Sequence, residues 1–147
     1  MLLDTVILSF EMEMKDRDDR SLAVLIADHM ENGFLENIID MFRHDSGLYR
    51  LTGMLIQDER VRVRIGITAL IEELRSLDPE HILEAVPVLL PLLAQAEPVV
   101  RGDSANLLGI IGDKKALNAL KPLLEDANEN VRLIAKEAIE EINENAS

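Results

Sequence analysis

Residues 90–101 have the sequence LPLLAQAEPVVR, and residues 121–132 have the sequence KPLLEDANENVR. In both stretches a proline precedes two leucines, and an arginine follows ten residues after that proline. The two stretches lie 31 residues apart. A period in the thirties with helical spacing inside each copy is typical of stacked helical pairs, in which each unit contacts only its neighbours.

An earlier copy of the pattern, residues 55–64, keeps its second half. Asp58 stands six residues before Arg64, as Asp126 stands six residues before Arg132. The chain therefore contains about three clear repeats of one helical unit.

The spacing of apolar residues predicts how the helices pair within the units. Pro91 and Pro122 fall at equivalent places inside the first helix of a unit, where a proline costs about 3 kcal/mol, so we expect these helices to bend there. Gly112 is expected to end a second helix in the left-handed conformation. The predicted pairs are 46–57 with 60–76, 79–95 with 98–111, and 114–125 with 129–144.

Residues 1–45 repeat poorly and are predicted to form an irregular helical cap for the repeats of residues 46–147. The apolar spacing predicts helices over 3–14, 20–31 and 34–43. Alternation of apolar and polar residues towards the end of the first of these leaves a strand as its alternative. No long linker interrupts the sequence, so the whole chain, 1–147, is predicted to be a single domain.

The composition favours an all-α protein and argues against several classes of partner. Hydrophobic residues make up 48% of the 147 residues but aromatic residues only 3%, and there is no cysteine. The net charge of −13 disfavours nucleic acid and anionic membrane surfaces, because both bind through Lys and Arg. No apolar run approaches the roughly 20 residues that cross a bilayer, and no basic residue precedes the apolar N-terminal stretch as in a secretory signal. These features predict a soluble, cytoplasmic protein.

The chain resembles HEAT repeats, in particular the short HEAT-like units of phycobilisome lyases. This resemblance implies an α–α superhelix whose second helices line the concave face. It implies little about activity, because the same units occur in scaffolds, lyases, hydroxylases and DNA-repair enzymes. The residues that carry the resemblance are Pro91, Pro122, the Val-Arg pairs at 63–64, 100–101 and 131–132, and Ile111-Gly112-Asp113.

Three arginines recur at the start of the second helices. We expect them to form a structural ladder between units by reaching aspartates or carbonyl oxygens of the neighbouring unit. The alternative is a row of cations that binds a carboxylate or phosphate of a ligand. The ladder residues are Arg64, Arg101 and Arg132, with Asp58 and Asp126 as acceptors.

A partner-binding groove is predicted on the second helices, at the positions four and eight residues after each ladder arginine. The middle unit has small side chains there and the flanking units have polar ones, which predicts a shallow saddle for a partner. The alternative is a solvated helix face with no partner. The predicted groove residues are Thr68, Glu72, Ala105, Gly109, Lys136 and Glu140, with the neighbouring Asn106.

The sequence shows no catalytic, metal-binding or cofactor-binding motif. Its three histidines fall in different units, and none lies in the His-Glu dipeptides that HEAT-like hydroxylases use for metal. The leading hypothesis is a non-catalytic scaffold for a protein partner of basic or mixed charge. The alternative is a lyase-like subunit or chaperone that handles a tetrapyrrole or other cofactor. A third hypothesis is a homodimer through the N-terminal residues Val6, Ile7 and Phe10.

Overall fold

Two helices precede the repeats in the computed structural model, which describes residues 17–145: α1 (Asp19–Glu31) and α2 (Leu35–His44). The carboxylate of Asp18 caps α1 by accepting a hydrogen bond from the backbone N–H of Ser21 at 2.8 Å. The predictions for 20–31 and 34–43 are confirmed to within one residue. The helix predicted over 3–14 and the dimer contact through it lie outside the described residues and stay predictions.

Three helical pairs follow, and each second helix is a continuous α-helix. The second helices are α4 (Val61–Leu77), α6 (Pro98–Ile111) and α8 (Glu129–Asn145). The first helices are composite. Their segments are a 3₁₀ turn Ser46–Leu51 and α3 (Thr52–Leu55); a 3₁₀ turn His81–Ala85, α5 (Val86–Leu89) and a 3₁₀ turn Leu90–Ala94; and a 3₁₀ turn Lys114–Ala116, α7 (Leu117–Leu120) and a 3₁₀ turn Lys121–Glu125.

The second helices begin and end within one residue of their predicted bounds. The first helices are not the continuous α-helices that were predicted. Pro91 is the second residue of the 3₁₀ turn Leu90–Ala94, and Pro122 is the second residue of Lys121–Glu125. Each of these 3₁₀ turns directly continues the α-helical segment before it, so the proline removes one backbone N–H donor inside the composite helix. The expected bend is therefore a change from α to 3₁₀ geometry at each proline.

The core runs through the stack as one apolar cluster. The buried residues of α4 lie on one face of the helix. Helix α6 is buried on most of its circumference because it lies between α4 and α8. Gly112 ends α6 with φ = 81°, as predicted, since the left-handed region favours glycine. The predicted α–α superhelix is thus what the structure shows. None of the helices within residues 17–145 is both long and apolar enough to cross a membrane.

Candidate partner-binding surface

The arginine ladder holds each second helix to the segment that precedes it. Every ladder arginine donates a hydrogen bond from Nη1 to the backbone carbonyl oxygen six residues earlier. These bonds satisfy carbonyl groups at the end of each first helix, which has no helical partner for them. The pairs are Arg64 with Asp58 at 2.8 Å, Arg101 with Gln95 at 2.9 Å, and Arg132 with Asp126 at 2.7 Å.

Arg101 also joins two units directly. Its Nε and Nη2 donate to the two carboxylate oxygens of Asp126 in the third unit, at 2.8 and 2.9 Å. The hydrogen bonds from Arg101, followed by one from the backbone N–H of Asn128, hold the pKa of the Asp126 carboxyl below its ordinary value. At this unit boundary the arginine is a structural bridge and is not available to a ligand.

The first unit is joined to the second through a different acidic residue. Gln95 stands where the second unit would need an aspartate, and Arg64 instead lies 3.3 Å from the carboxylate of Asp103 on α6. The carboxylate of Asp58 does not pair with Arg64, because it bonds to the guanidinium of Arg60. Asp58 therefore contributes only its backbone carbonyl oxygen to the ladder.

The predicted saddle in the middle unit is wrong, because Ala105 and Gly109 are buried. A Cβ placed on Gly109 would stand 2.8 Å from the Cα atom of Ala138 on α8. These small residues let α8 approach α6 closely. In the middle unit these two positions therefore face the next unit and do not form a groove.

The same repeat register explains where the other predicted residues lie. Lys136 and Glu140 follow Ala105 and Gly109 by 31 residues, and both are exposed. They lie on the exposed side of α8, opposite its buried residues, where no further unit follows within residues 17–145. Thr68 is half-buried and donates its hydroxyl to the carbonyl oxygen of Arg64 at 3.1 Å.

Of the predicted residues, Glu72 and Asn106 meet on one surface. Both are exposed and line a depression of about 490 Å³ between α4 and α6. Arg75 of α4 reaches across this depression to Glu141 of α8, with 3.3 Å between Nη1 and Oε1. Helix α6 forms the floor of this depression, and its residue Ile110 also lines it.

An exposed set of apolar side chains was not predicted from the sequence. We call it the apolar strip, and it crosses the N-terminal turns of the three second helices. Two depressions, of about 170 and 310 Å³, connect its members: one joins the α4 residues to α6, and the other joins α6 to α8. The members, with their exposed fractions, are Val61 (57%), Ile65 (64%), Val99 (54%) and Leu133 (54%).

A signal for the apolar strip was present in the sequence. Ile65 and Leu133 each directly follow a ladder arginine, and Gly102 has that place in the middle unit. The core pattern of a second helix places its buried residues elsewhere, for example Val63 and Ile67 in α4. In α4 and α8 the large apolar residue after the arginine is therefore exposed and lies outside the core, whereas Gly102 of α6 is buried against Ile134.

No metal site is evident among the described residues: no three His, Asp or Glu side chains of 17–145 are arranged to hold an ion. The histidines have local partners. His29 and His44 each bond through Nδ1 to the carbonyl oxygen four residues earlier, and His81 lies 2.8 Å from Asp78. The hydrogen bond with Asp78 raises the pKa of His81.

Comparison with known protein families identifies the units. The family model described as HEAT repeats matches residues 48–140, which is more than half of the chain. The chain belongs to the HEAT repeat family. This match confirms the predicted HEAT repeats. It does not show the phycobilisome-lyase type that the sequence resembles.

Comparison with solved structures supports the same architecture for this HEAT repeat chain. A crystal structure of an engineered protein from the Northeast Structural Genomics Consortium aligns with a TM-score of 0.58 at 20% sequence identity. The alignment covers 94% of this chain and 62% of the engineered one, so this chain spans about three fifths of that protein's length. At this identity the similarity concerns the fold alone. No curated protein matches the sequence.

Proposed function

We propose that this HEAT repeat chain is a non-catalytic interaction module that binds a protein on the face formed by α4, α6 and α8. The observation that carries the proposal is the apolar strip, which places side chains from three successive units on one surface. Contiguous exposed apolar side chains are typical of protein-interaction sites. Isolated ones need no such explanation.

The strip can supply only part of a binding free energy. Complete burial of a Val, Leu or Ile side chain stabilises by about 1.5–3 kcal/mol, and about half of each side chain in the strip is still exposed. Covering all four therefore contributes roughly 3–7 kcal/mol before the costs of association. We propose that Glu72, Asn106 and Thr68, which lie further along α4 and α6, provide polar contacts. Ala105 and Gly109 are excluded by burial, whereas Lys136 and Glu140 follow Leu133 by about one and two helical turns and stay candidate contacts.

The other hypotheses from the sequence have less support. No observation on the described residues favours tetrapyrrole or cofactor handling, and the family match does not reach the lyase type. We therefore do not propose that function. A cytoplasmic location and a homodimer through the N-terminal residues stay predictions.

Photo-crosslinking in lysate of the source organism tests the proposal. A photoreactive amino acid replaces Val99 in one protein and Leu83 in a matched control. Leu83 has a similar exposed fraction, 45%, but lies in the first helix of the same unit. We expect a defined adduct from position 99 that is absent from position 83.

Substitutions connect the adduct to the strip. Ile65→Asp is expected to abolish the adduct at position 99, and Glu72→Lys to weaken it. Glu125→Lys, which makes the same charge change in the first helix of the third unit, should leave it intact. An adduct that forms equally at both positions, or that survives Ile65→Asp, would contradict the proposal.

A further inference from the structure

The apolar strip has a length that suits one partner segment. It crosses three neighbouring helices, α4, α6 and α8. Packed helices lie about 8–10 Å apart, so the strip is about 16–20 Å long. A helix rises about 1.5 Å per residue, and about 11–13 residues, or three turns, would cover the strip.

Carboxylates lie on both long sides of the strip. On the C-terminal side, an acidic band consists of the exposed Glu72, Glu73 and Glu137 together with the half-buried Glu141. On the N-terminal side, an acidic rim consists of the exposed Glu59, Glu97 and Glu129. Only Glu141 among these seven takes part in a described ion pair, with Arg75.

The spacing between strip and band matches the width of a helix. Ile65 and Glu72 are seven residues apart on α4, which is about 10 Å along the helix axis. A helix with its side chains is about 10–12 Å in diameter. A partner helix whose axis lies over the strip extends about 5–6 Å to each side, so cations on its flanks come within about 5 Å of the acidic band and can pair with it.

Resting on the function proposed above, we propose that the partner segment is an amphipathic helix of about three turns with Lys or Arg on both flanks of its apolar face. Its apolar residues cover the strip, and its cations pair with the carboxylates of the band and the rim. Among the exposed cations of the second helices, Arg62 and Lys136 each lie one helical turn from a strip residue, so the partner positions next to them are expected to be uncharged or acidic. A second copy of this chain fits poorly, because it would bring the same carboxylates against each other.

Three synthetic peptides of about 13 residues test the charge preference. They share one leucine face and differ only in their flanks, which carry Lys, Gln or Glu. Fluorescence anisotropy measures binding of each labelled peptide to the full chain. We expect the Lys peptide to bind at least tenfold more tightly than the Glu peptide at low salt, with the Gln peptide between them. The difference should shrink as salt is added, because exposed charges are screened.

Paired variants locate the binding. Ile65→Ser with Val99→Ser should weaken all three peptides about tenfold or more. Glu72→Gln with Glu137→Gln should weaken only the Lys peptide. Glu84→Gln with Glu125→Gln removes two exposed carboxylates from the first helices and should change nothing, which separates local pairing from the effect of net charge.

Three outcomes overturn the inference. Equal affinity for the Lys and Glu peptides would show that the flanks are not recognised. Lys-peptide binding that withstands Ile65→Ser with Val99→Ser would show that charge alone attracts the peptide. Failure of all three peptides to bind would exclude this class of partner. The photo-crosslink at position 99 is measured separately, so an interaction module with another kind of partner is distinguished from a failure of the proposed function.

Discussion

Gly109 of α6 lies so close to Ala138 of α8 that a Cβ on the glycine would stand 2.8 Å from the Cα atom of Ala138 and 2.9 Å from its Cβ atom. No other pair of α-helices within residues 17–145 packs as extensively as α6 and α8. The close approach also brings Glu141 within 3.3 Å of Arg75, which lies two helices away. The shape of the second-helix face thus depends on the small size of one residue.

Gly109→Ala is expected to destabilise the protein although alanine favours helices. The added methyl group meets backbone and Cβ atoms of Ala138 that cannot rotate away. Overpacking costs typically 1–3 kcal/mol, whereas Gly→Ala in a helix gains about 0.5–1 kcal/mol. We expect a net loss of about 1–2 kcal/mol in the free energy of unfolding, measured by urea denaturation.

Gly102→Ala is the matched control on the same helix. Its new Cβ would meet the terminal methyl of Ile134 at 3.1 Å, and that side chain can rotate away. Its free energy of unfolding should stay within about 0.5 kcal/mol of wild type or rise. If Gly109→Ala behaved like Gly102→Ala, the two helices would pack less closely than described.

Leu123→Asp should unfold the third unit. Leu123 is buried between the units, where a carboxylate has no partner, and the leucine contacts are lost as well. We expect a loss of about 3–5 kcal/mol, seen by thermal and urea denaturation. The neighbouring Leu124→Asp should cost far less, because Leu124 is 39% exposed. Similar losses for both would mean that the register of the third unit is wrong.

Tyr49→Phe tests a hydrogen bond that joins the first unit to the second. The buried Tyr49 hydroxyl donates to Asp78, just beyond α4, at 2.9 Å. Burial, followed by the bond to Asp78, raises the pKa of Tyr49. Removal of the hydroxyl should cost about 1.5–3 kcal/mol, as is usual for a hydrogen bond to a charged acceptor. The ring contact with Phe42, at 5.2 Å between centroids, is retained in the variant.

A second variant separates the two partners of Asp78. His81→Gln removes the other bond to that carboxylate but from a more exposed side chain, so urea denaturation should show a much smaller loss. A Tyr49→Phe protein as stable as wild type would show that the hydroxyl bond does not contribute to unit packing.

Asp126→Asn should change how stability depends on pH. The pKa of Asp126 is lowered in the folded protein, chiefly by Arg101, so the folded state binds this proton less readily than the unfolded state. The stabilisation is present above the unfolded pKa of about 3.9 and is lost as the pH falls through the lower folded value. The variant should therefore be less stable than wild type at pH 7, and the difference should diminish below about pH 4.

Thermal melts between pH 7 and pH 2.5 measure this effect. Glu125→Gln, one residue earlier, is the control, because its exposed carboxylate takes part in no described ion pair or hydrogen bond. Its difference from wild type should be small at every pH. A deficit of Asp126→Asn that stayed constant across the range would indicate that the bridge to Arg101 acts only through packing.

The sequence correctly predicted the features that depend on the spacing of nearby residues. The bounds of α4, α6 and α8 follow from apolar residues at helical intervals, and Gly112 ends α6 because the left-handed turn favours glycine. The composite first helices were missed. A proline marks where a helix changes but not whether 3₁₀ or α geometry continues, since the two differ by small changes in the backbone angles.

The candidate site was harder to predict, because exposure depends on neighbours that are distant in sequence. Thr68 and Glu72, Ala105 and Gly109, and Lys136 and Glu140 share one repeat position, and spacing alone gave all of them the same surface. The structure separates them, since α8 packs closely on α6, α6 packs less extensively on α4, and no described unit covers α8.

The sequence by itself therefore determined the repeat, the second helices and the ladder arginines, because these depend on interactions within a turn or two of the chain. Only the tertiary structure decided which face of those helices remains open. It buried Gly109 against Ala138 and left Ile65, Val99 and Leu133 exposed on one strip. The physical reason is that the distance between stacked helices is set by the side chains of both partners, so neither helix carries that information alone.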